Sequence, residues 1–216
     1  CLEAECRHVR KREFAEVAQP FRDQEQNDGP AHQPADRVDQ AVVAVEEHEA
    51  GNAKERGRRH IVAGNGQAGS AGDGGPAIDA TLFASAGLAL DQDENLYVVD
   101  SSQYAVRRIL KSSGIIERVA GNGSQGFNGD GGPALAASFM LPRGIVFASN
   151  GDLIISDSGA DRVRRVEKLS GLVSTIGGNG TFRSFEGDGG PATNAALSDV
   201  RSVAANTNGG FLVADR

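Results

Sequence analysis

Six aspartates recur at fixed spacing and are the side chains best suited to chemistry. Asp73, Asp130 and Asp188 stand in three copies of a GDGGPA segment (Gly72–Ala77, Gly129–Ala134, Gly187–Ala192). Asp100, Asp157 and Asp215 close the apolar segments LYVVD (Leu96–Asp100), LIISD (Leu153–Asp157) and FLVAD (Phe211–Asp215), which keep the same spacing. Carboxylates gathered on one face of a repeat would form an acidic rim able to hold a cation or a basic ligand. The competing role is structural: each aspartate accepts backbone N–H bonds in its own turn, Gly74-Gly75 and their copies supply positive φ, and the proline ends the loop. Repetition in every unit favours the structural role over a unique site.

Other chemistries find fewer groups. A calcium site needs 6 to 8 oxygens and normally several carboxylates. Each GDGG loop offers one, with a carbonyl apiece from Asn65, Asn122 and Asn179, so no metal site is assigned. The glycine-rich run 121–132 lacks the Lys-Ser/Thr ending of a phosphate-binding loop. All four histidines (His8, His32, His48, His60) and both cysteines (Cys1, Cys6) precede residue 61. The later segment therefore has neither a zinc-binding histidine nor a cysteine nucleophile, and Ser101, Ser102, Ser156 and Ser158 have no histidine base there. No catalytic residue and no cofactor is assigned. The pairs Arg107-Arg108 and Arg164-Arg165 lie in acidic surroundings with few aromatics, which reads as surface salt bridging rather than RNA contact.

The elements that position these residues follow from a tandem repeat. AGNG at Ala63–Gly66 returns at Ala120–Gly123 and, as GGNG, at Gly177–Gly180. The other motifs keep this register, and a sustained period of about 57 residues marks a repeat architecture. The middle unit predicts strand A at Gly144–Ala148, strand B at Asp152–Ser156, strand C at Arg162–Val166 and strand D at Leu172–Ile176. An Asn150-Gly151 turn joins A to B, with positive φ at a tight hairpin. The preceding unit matches, with strands at Gly87–Leu90, Asn95–Val99, Val106–Leu110 and Ile115–Ala120. Four antiparallel strands per repeat make a propeller blade. Strand B is apolar at consecutive positions, as expected when neighbouring blades cover both faces, whereas the Val-Arg-Arg pattern of strand C suits a more exposed place. This strand order puts the D-to-A connection and the B-to-C turn on one face, so all six aspartates should share it.

AGNG, GDGGPA, an apolar anchor (Leu82, Phe139, Leu197), a strand ending in Asp and a V-R-R strand together resemble NHL-repeat proteins. The lengthened connection is similar to that of bacterial NHL proteins and of the teneurin propeller. The resemblance covers about Ile61 to Arg216 and implies a six-bladed ring, with an extracellular or cell-surface setting. It also admits enzymes, since some NHL-like propellers resemble metal-dependent lyases or lactonases. The usual asparagine and arginine after the strand-end aspartate are replaced here, the first by Gln103 or Ala160 and the second by Ala105 in one blade, with Arg162 kept in the next.

Composition sets the remaining bounds. A net charge of -7 gives no footprint for nucleic acid and makes a basic partner more natural than an acidic one. No run approaches the ~20 apolar residues of a membrane span. Residues 1–59 are charged and hold a single apolar run, QAVVAVE at Gln40–Glu46, which is too little for a core. They read as a solvated, disordered or non-native region, and 60–216 as the propeller segment. About two and a half blades are expected, against the 4 to 8 of a closed ring, so the chain reads as a fragment. The expectation is an all-β, non-catalytic propeller segment that serves as a scaffold for a protein or carbohydrate ligand. The alternative is a fragment of a propeller hydrolase or lyase with its catalytic residues elsewhere.

Overall fold

The computed structural model describes residues 43–46, 59–181, 186–206 and 208–215. The reading of 1–59 as disordered or non-native falls almost wholly outside these. Within it, β1 (Val43–Glu46), taken from the apolar run, pairs antiparallel with β2 (Arg59–Ala63).

Two complete blades follow. The first comprises β3 (Ser85–Leu90), β4 (Leu96–Asp100), β5 (Ala105–Ile109) and β6 (Ile116–Ala120). The second comprises β7 (Pro142–Phe147), β8 (Leu153–Asp157), β9 (Arg162–Val166) and β10 (Val173–Gly177). Each is a four-stranded antiparallel sheet in sequential order, and β11 (Ser202–Ala205) pairs with β12 (Phe211–Ala214) in a two-stranded third sheet after these, the β1–β2 pair preceding them. The chain is thus all-β, built of four-stranded propeller blades. The predicted strands agree with these closely at both ends.

Apolar residues bind blade to blade. Tyr97, Val99 and Val106 of the first blade pack with Phe139, Ile145, Leu153 and Ile155 of the second and its approach. Val98 points the other way, into a cluster with Ala63, Leu82 and Ile116, while Ile154 meets Val163, Val200 and Val203 on the side of the third sheet. The central strands β4 and β8 are therefore covered on both faces, which is why their apolar residues are consecutive rather than alternating.

The long D-to-A connections act as staples between blades. At one end the Asn122 N–H donates to the Ala137 carbonyl, and the Asn122 side chain donates to the Ala136 carbonyl while accepting the Ser124 N–H. Asn65 and Asn179 make the same three contacts. At the other end the loop pairs with the outer strand of the blade it enters: Gly131 N–H donates to the Val173 carbonyl and Val173 N–H to the Gly132 carbonyl. Gly74, Gly75 and Ile116 repeat this in the first blade. A sheet edge that would otherwise offer unpaired backbone groups is thereby covered in part.

The Asn150-Gly151 turn differs from its prediction. Ala148 and Asp152 close a loop that holds one residue more than the tight hairpin, and only Gly151 has positive φ, at 86°. The extra residue lets an ordinary first turn precede one left-handed position, so asparagine need not adopt it. Glu94 takes the same position in the first blade, with φ 60°.

Candidate functional site

The rim aspartates separate into two groups with different work. Asp100 and Asp157, at the ends of β4 and β8, are completely buried. Asp157 accepts the Met140 N–H at 3.0 Å and the Leu141 N–H at 2.8 Å, and Asp100 accepts the Phe83 N–H at 3.4 Å. They hold the segment that leads into the same blade's inner strand, 16 or 17 residues upstream; Asp100 is also drawn to the Gln103 N–H of its own turn. Burial pushes the carboxyl of Asp100 up to about 7 and that of Asp157 up to about 6, against the opposing pull of these N–H groups and of nearby arginines.

The loop aspartates engage arginine. Asp73 accepts from Arg107 Nε at 2.9 Å, and Asp130 from an Arg164 terminal nitrogen at 2.7 Å. Asp130 also accepts the Thr175 N–H at 3.1 Å. Arg107 and Arg164, the first arginines of the V-R-R strands, are only 1% and 0% exposed, which corrects the expectation of a surface position and of surface salt bridging for this member of each pair. Their terminal nitrogens also donate to loop carbonyls, Arg107 to Ala71 and Thr81, and Arg164 to Phe127, Asn128 and Ser138, while the Arg164 Nε is left without an acceptor. Period-two alternation puts these arginines on the face under the entering loop, whose carbonyls form a polar seat in an otherwise apolar interface. The second arginines behave as expected of partly exposed cations, Arg108 pairing with Glu117 and Arg165 with Glu167.

Asp188, in the third loop, and Asp215, after β12, are exposed. Among the described residues no cluster of three or more His, Cys, Asp or Glu side chains could hold a metal ion.

A different site lies where the innermost strands meet. β3, β7 and β11 run side by side and line an open cavity of about 320 Å³ with Ala86, Gly87 and Leu88, then Arg143, Gly144 and Ile145, then Arg201, Ser202 and Val203. A Cβ at Gly87 would run into the Arg143 carbonyl oxygen, and one at Gly144 would lie 3.1 Å from the Arg201 carbonyl oxygen. Only glycine permits the strands this approach. The register of β3 with β4 and of β7 with β8 slips between Ser85 and Leu88 and between Pro142 and Ile145, the signature of a bulge at the cavity wall. Arg201 is held by Asp199 at 2.6 Å, and Asp199 also accepts from the Ser158 hydroxyl at 2.6 Å. The Arg201 and Ser158 hydrogen bonds, with the charge of Arg143 beyond, keep the Asp199 carboxyl below the usual range. Sequence reasoning passed over Arg143 and Arg201. The available signal was their shared place immediately before the inner-strand Gly144 and Ser202, where the first blade has Ala86 before Gly87.

No protein-family profile matches the chain. Over 111 residues, 46% of its length, it is 30% identical to human Teneurin-4, of which that segment spans 4%; mouse Teneurin-4 matches to the same extent. Among solved structures it is similar to a protein of unknown function from Bacteroides thetaiotaomicron (TM-score 0.52, 22% identity). That match covers 59% of this chain and 32% of the other. It is similar also to a putative phosphatase from the same organism (TM-score 0.51, 19% identity, 64% and 34% covered). The chain therefore spans about a third of the length of these structures, and the shared feature is the β-propeller fold.

Proposed function

We propose that this chain is an NHL-type segment of a six-bladed propeller and serves as a non-catalytic scaffold that binds a protein or carbohydrate ligand. The observation that carries this reading is the lining of the inner cavity: two arginines, a serine and glycines among aliphatic residues, with no carboxylate, histidine or cysteine in the wall among the described residues. Such a wall offers hydrogen-bond donors and apolar surface for recognition. It supplies no general base and no activated nucleophile. The rim supports the same reading, because Asp73, Asp130 and Asp157 are engaged by the protein's own donors, and Asp100 through one of its two oxygens.

The alternative, a segment of a propeller hydrolase or lyase, draws on Asp100 and Asp157, whose raised carboxyls titrate near neutrality as general acids and bases do. Their complete burial works against contact with substrate. The two readings part in one experiment. The full chain is offered a panel of saccharides by calorimetry, and chromogenic esters, phosphate esters and lactones in a turnover assay. Saturable binding without turnover is expected. Turnover abolished by Asp157→Asn would overturn the scaffold reading.

A further inference from the structure

We propose that the inner cavity recognises a small ligand through a carboxylate seated on Arg143. The inference rests on the reading of this cavity as a ligand seat and adds the chemical class of what sits there.

Arg143 stands apart from its neighbours in chemistry. Among the described residues, every other arginine from Arg107 to Arg201 has an acidic or carbonyl partner: Asp73 for Arg107 and Arg118, Glu117 for Arg108, Ala160 and Asn179 for Arg162, Asp130 for Arg164, Glu167 for Arg165 and Asp199 for Arg201. The Nε of Arg143 is buried without an acceptor, as are those of Arg164 and Arg165, but those two have partners for their terminal nitrogens, whereas the guanidinium of Arg143 makes no hydrogen bond or ion pair among the described residues. A guanidinium carries five donors in a planar fork and stays charged. A buried N–H on such a group with nothing to receive it bears its desolvation cost uncompensated, so an acceptor brought by a ligand gains the whole difference.

The backbone places this side chain at the cavity. Arg143 and Gly144 occupy the register slip of β7, and a bulge re-aims the side chains at its position. Gly87 and Gly144 let the three inner strands close up around the same point. Charge agrees as well. Of the two arginines in this wall, Arg201 pairs with Asp199, which is not itself part of the lining, while Arg143 feels the same carboxylate without bonding to it; two arginines against one carboxylate leave a net positive charge in a chain whose total is -7. The global acidity that favours a basic partner does not describe this cavity, where the unanswered charge is a cation. A carboxylate matches the guanidinium fork in two parallel hydrogen bonds, and a volume of about 320 Å³ suits a ligand of monosaccharide size. Ser202 adds a hydroxyl, and Leu88, Ile145 and Val203 add apolar wall, so an acidic sugar meets both polar and apolar demands.

The test uses the full chain with glucuronate as the probe, glucose as its neutral counterpart and inorganic phosphate as the competing oxyanion. Arginine Nε–H resonances are followed by NMR during titration. Glucuronate should shift one arginine resonance saturably, with the signal assigned through Arg143→Lys, and binding should weaken as salt is raised. Arg143→Gln should weaken it by about tenfold or more, Arg143→Lys should recover part of the loss, and Arg165→Gln should leave it unchanged. Dispersed amide spectra of each variant establish that it is folded. Equal binding of glucose, binding of phosphate without glucuronate, or undiminished glucuronate binding by folded Arg143→Gln would each overturn the proposal. Turnover of esters or lactones with intact Arg143-dependent glucuronate binding would overturn the scaffold reading alone. Binding of neutral saccharides with no preference for the acid would overturn this inference alone.

Discussion

The guanidinium of Arg164, with none of its surface exposed, reaches out of β9 to Asp130 at 2.7 Å and so ties the loop that enters a blade to that blade's third strand. Arg107 and Asp73 repeat the tie one blade earlier, at 2.8 Å. A charged side chain in an interface between sheets needs both a counter-ion and acceptors for its other N–H groups, and the loop carbonyls provide these for the terminal nitrogens.

The tie predicts an ordered pair of effects. Arg164→Ala removes packing and leaves the carbonyls of Phe127 and Ser138 without their arginine donor, while that of Asn128 keeps the Ser138 N–H, and should cost about 3–5 kcal/mol. Asp130, whose side chain is about half exposed, should cost less on change to alanine, about 1–3 kcal/mol, because water shares the solvation of the remaining arginine. Urea denaturation of both variants and of the double variant measures the coupling. Equal and additive losses would show that the pair acts as two independent contacts.

Phe139 is the apolar counterpart of that tie. It is fully buried between the two complete blades, with Arg164 5.6 Å from its ring centre. Phe139→Ala should destabilise by about 3–5 kcal/mol and Leu82→Ala, at the equivalent place, by about 2–5 kcal/mol. Hydrogen exchange should rise first in the strands facing the altered interface, β4 and β8 for Phe139. A uniform rise over the chain would show that the blades open as one unit.

The buried carboxyls set a pH dependence whose sign follows from their raised values. Asp100 titrates at about 7 and Asp157 at about 6 in the folded chain, against 3.8 ordinarily. Between these values the folded state binds more protons than the unfolded, so stability from this source is full below about pH 4 and is lost as pH rises toward 7. Asp100→Asn should therefore flatten the profile in that window and gain stability relative to the parent at pH 8, on the order of 4 kcal/mol. Thermal melts from pH 4 to 8 check this. A variant whose loss is the same at both ends would show that Asp100 carries its charge without cost.

Glycine at the inner strands is a packing requirement rather than a turn requirement. Gly87→Ala drives its methyl group into the Arg143 carbonyl, a backbone atom that cannot swing aside, and should cost about 1–3 kcal/mol. Gly114→Ala, at φ 68° with open space around the site, should cost only about 1 kcal/mol of left-handed strain. Denaturant midpoints of the two variants give the comparison, and a larger loss at Gly114 would contradict the close approach of β3 and β7.

The repeat and its strands are legible in the amino-acid order alone. Motifs that return at a constant step leave one register for each strand, and the consecutive apolar residues of LYVVD and LIISD announce a sheet covered on both faces. Local chemistry was legible for the same reason, since turns, loop glycines and apolar anchors depend on near neighbours. The work of the polar residues, by contrast, is set by contacts between distant parts of the chain. Period-two alternation puts Arg107 and Arg108 on opposite faces, but which face receives a loop lined with carbonyls depends on a connection whose acceptors, Thr81 and Ala71, lie far upstream in the chain. Asp157 likewise finds its donors on Met140 and Leu141, across its sheet rather than in its turn. Arg143 shows the limit most plainly: beside a glycine in a short strand it is an ordinary charged residue, and it becomes an unanswered cation only when three inner strands converge and a bulge turns it to the cavity.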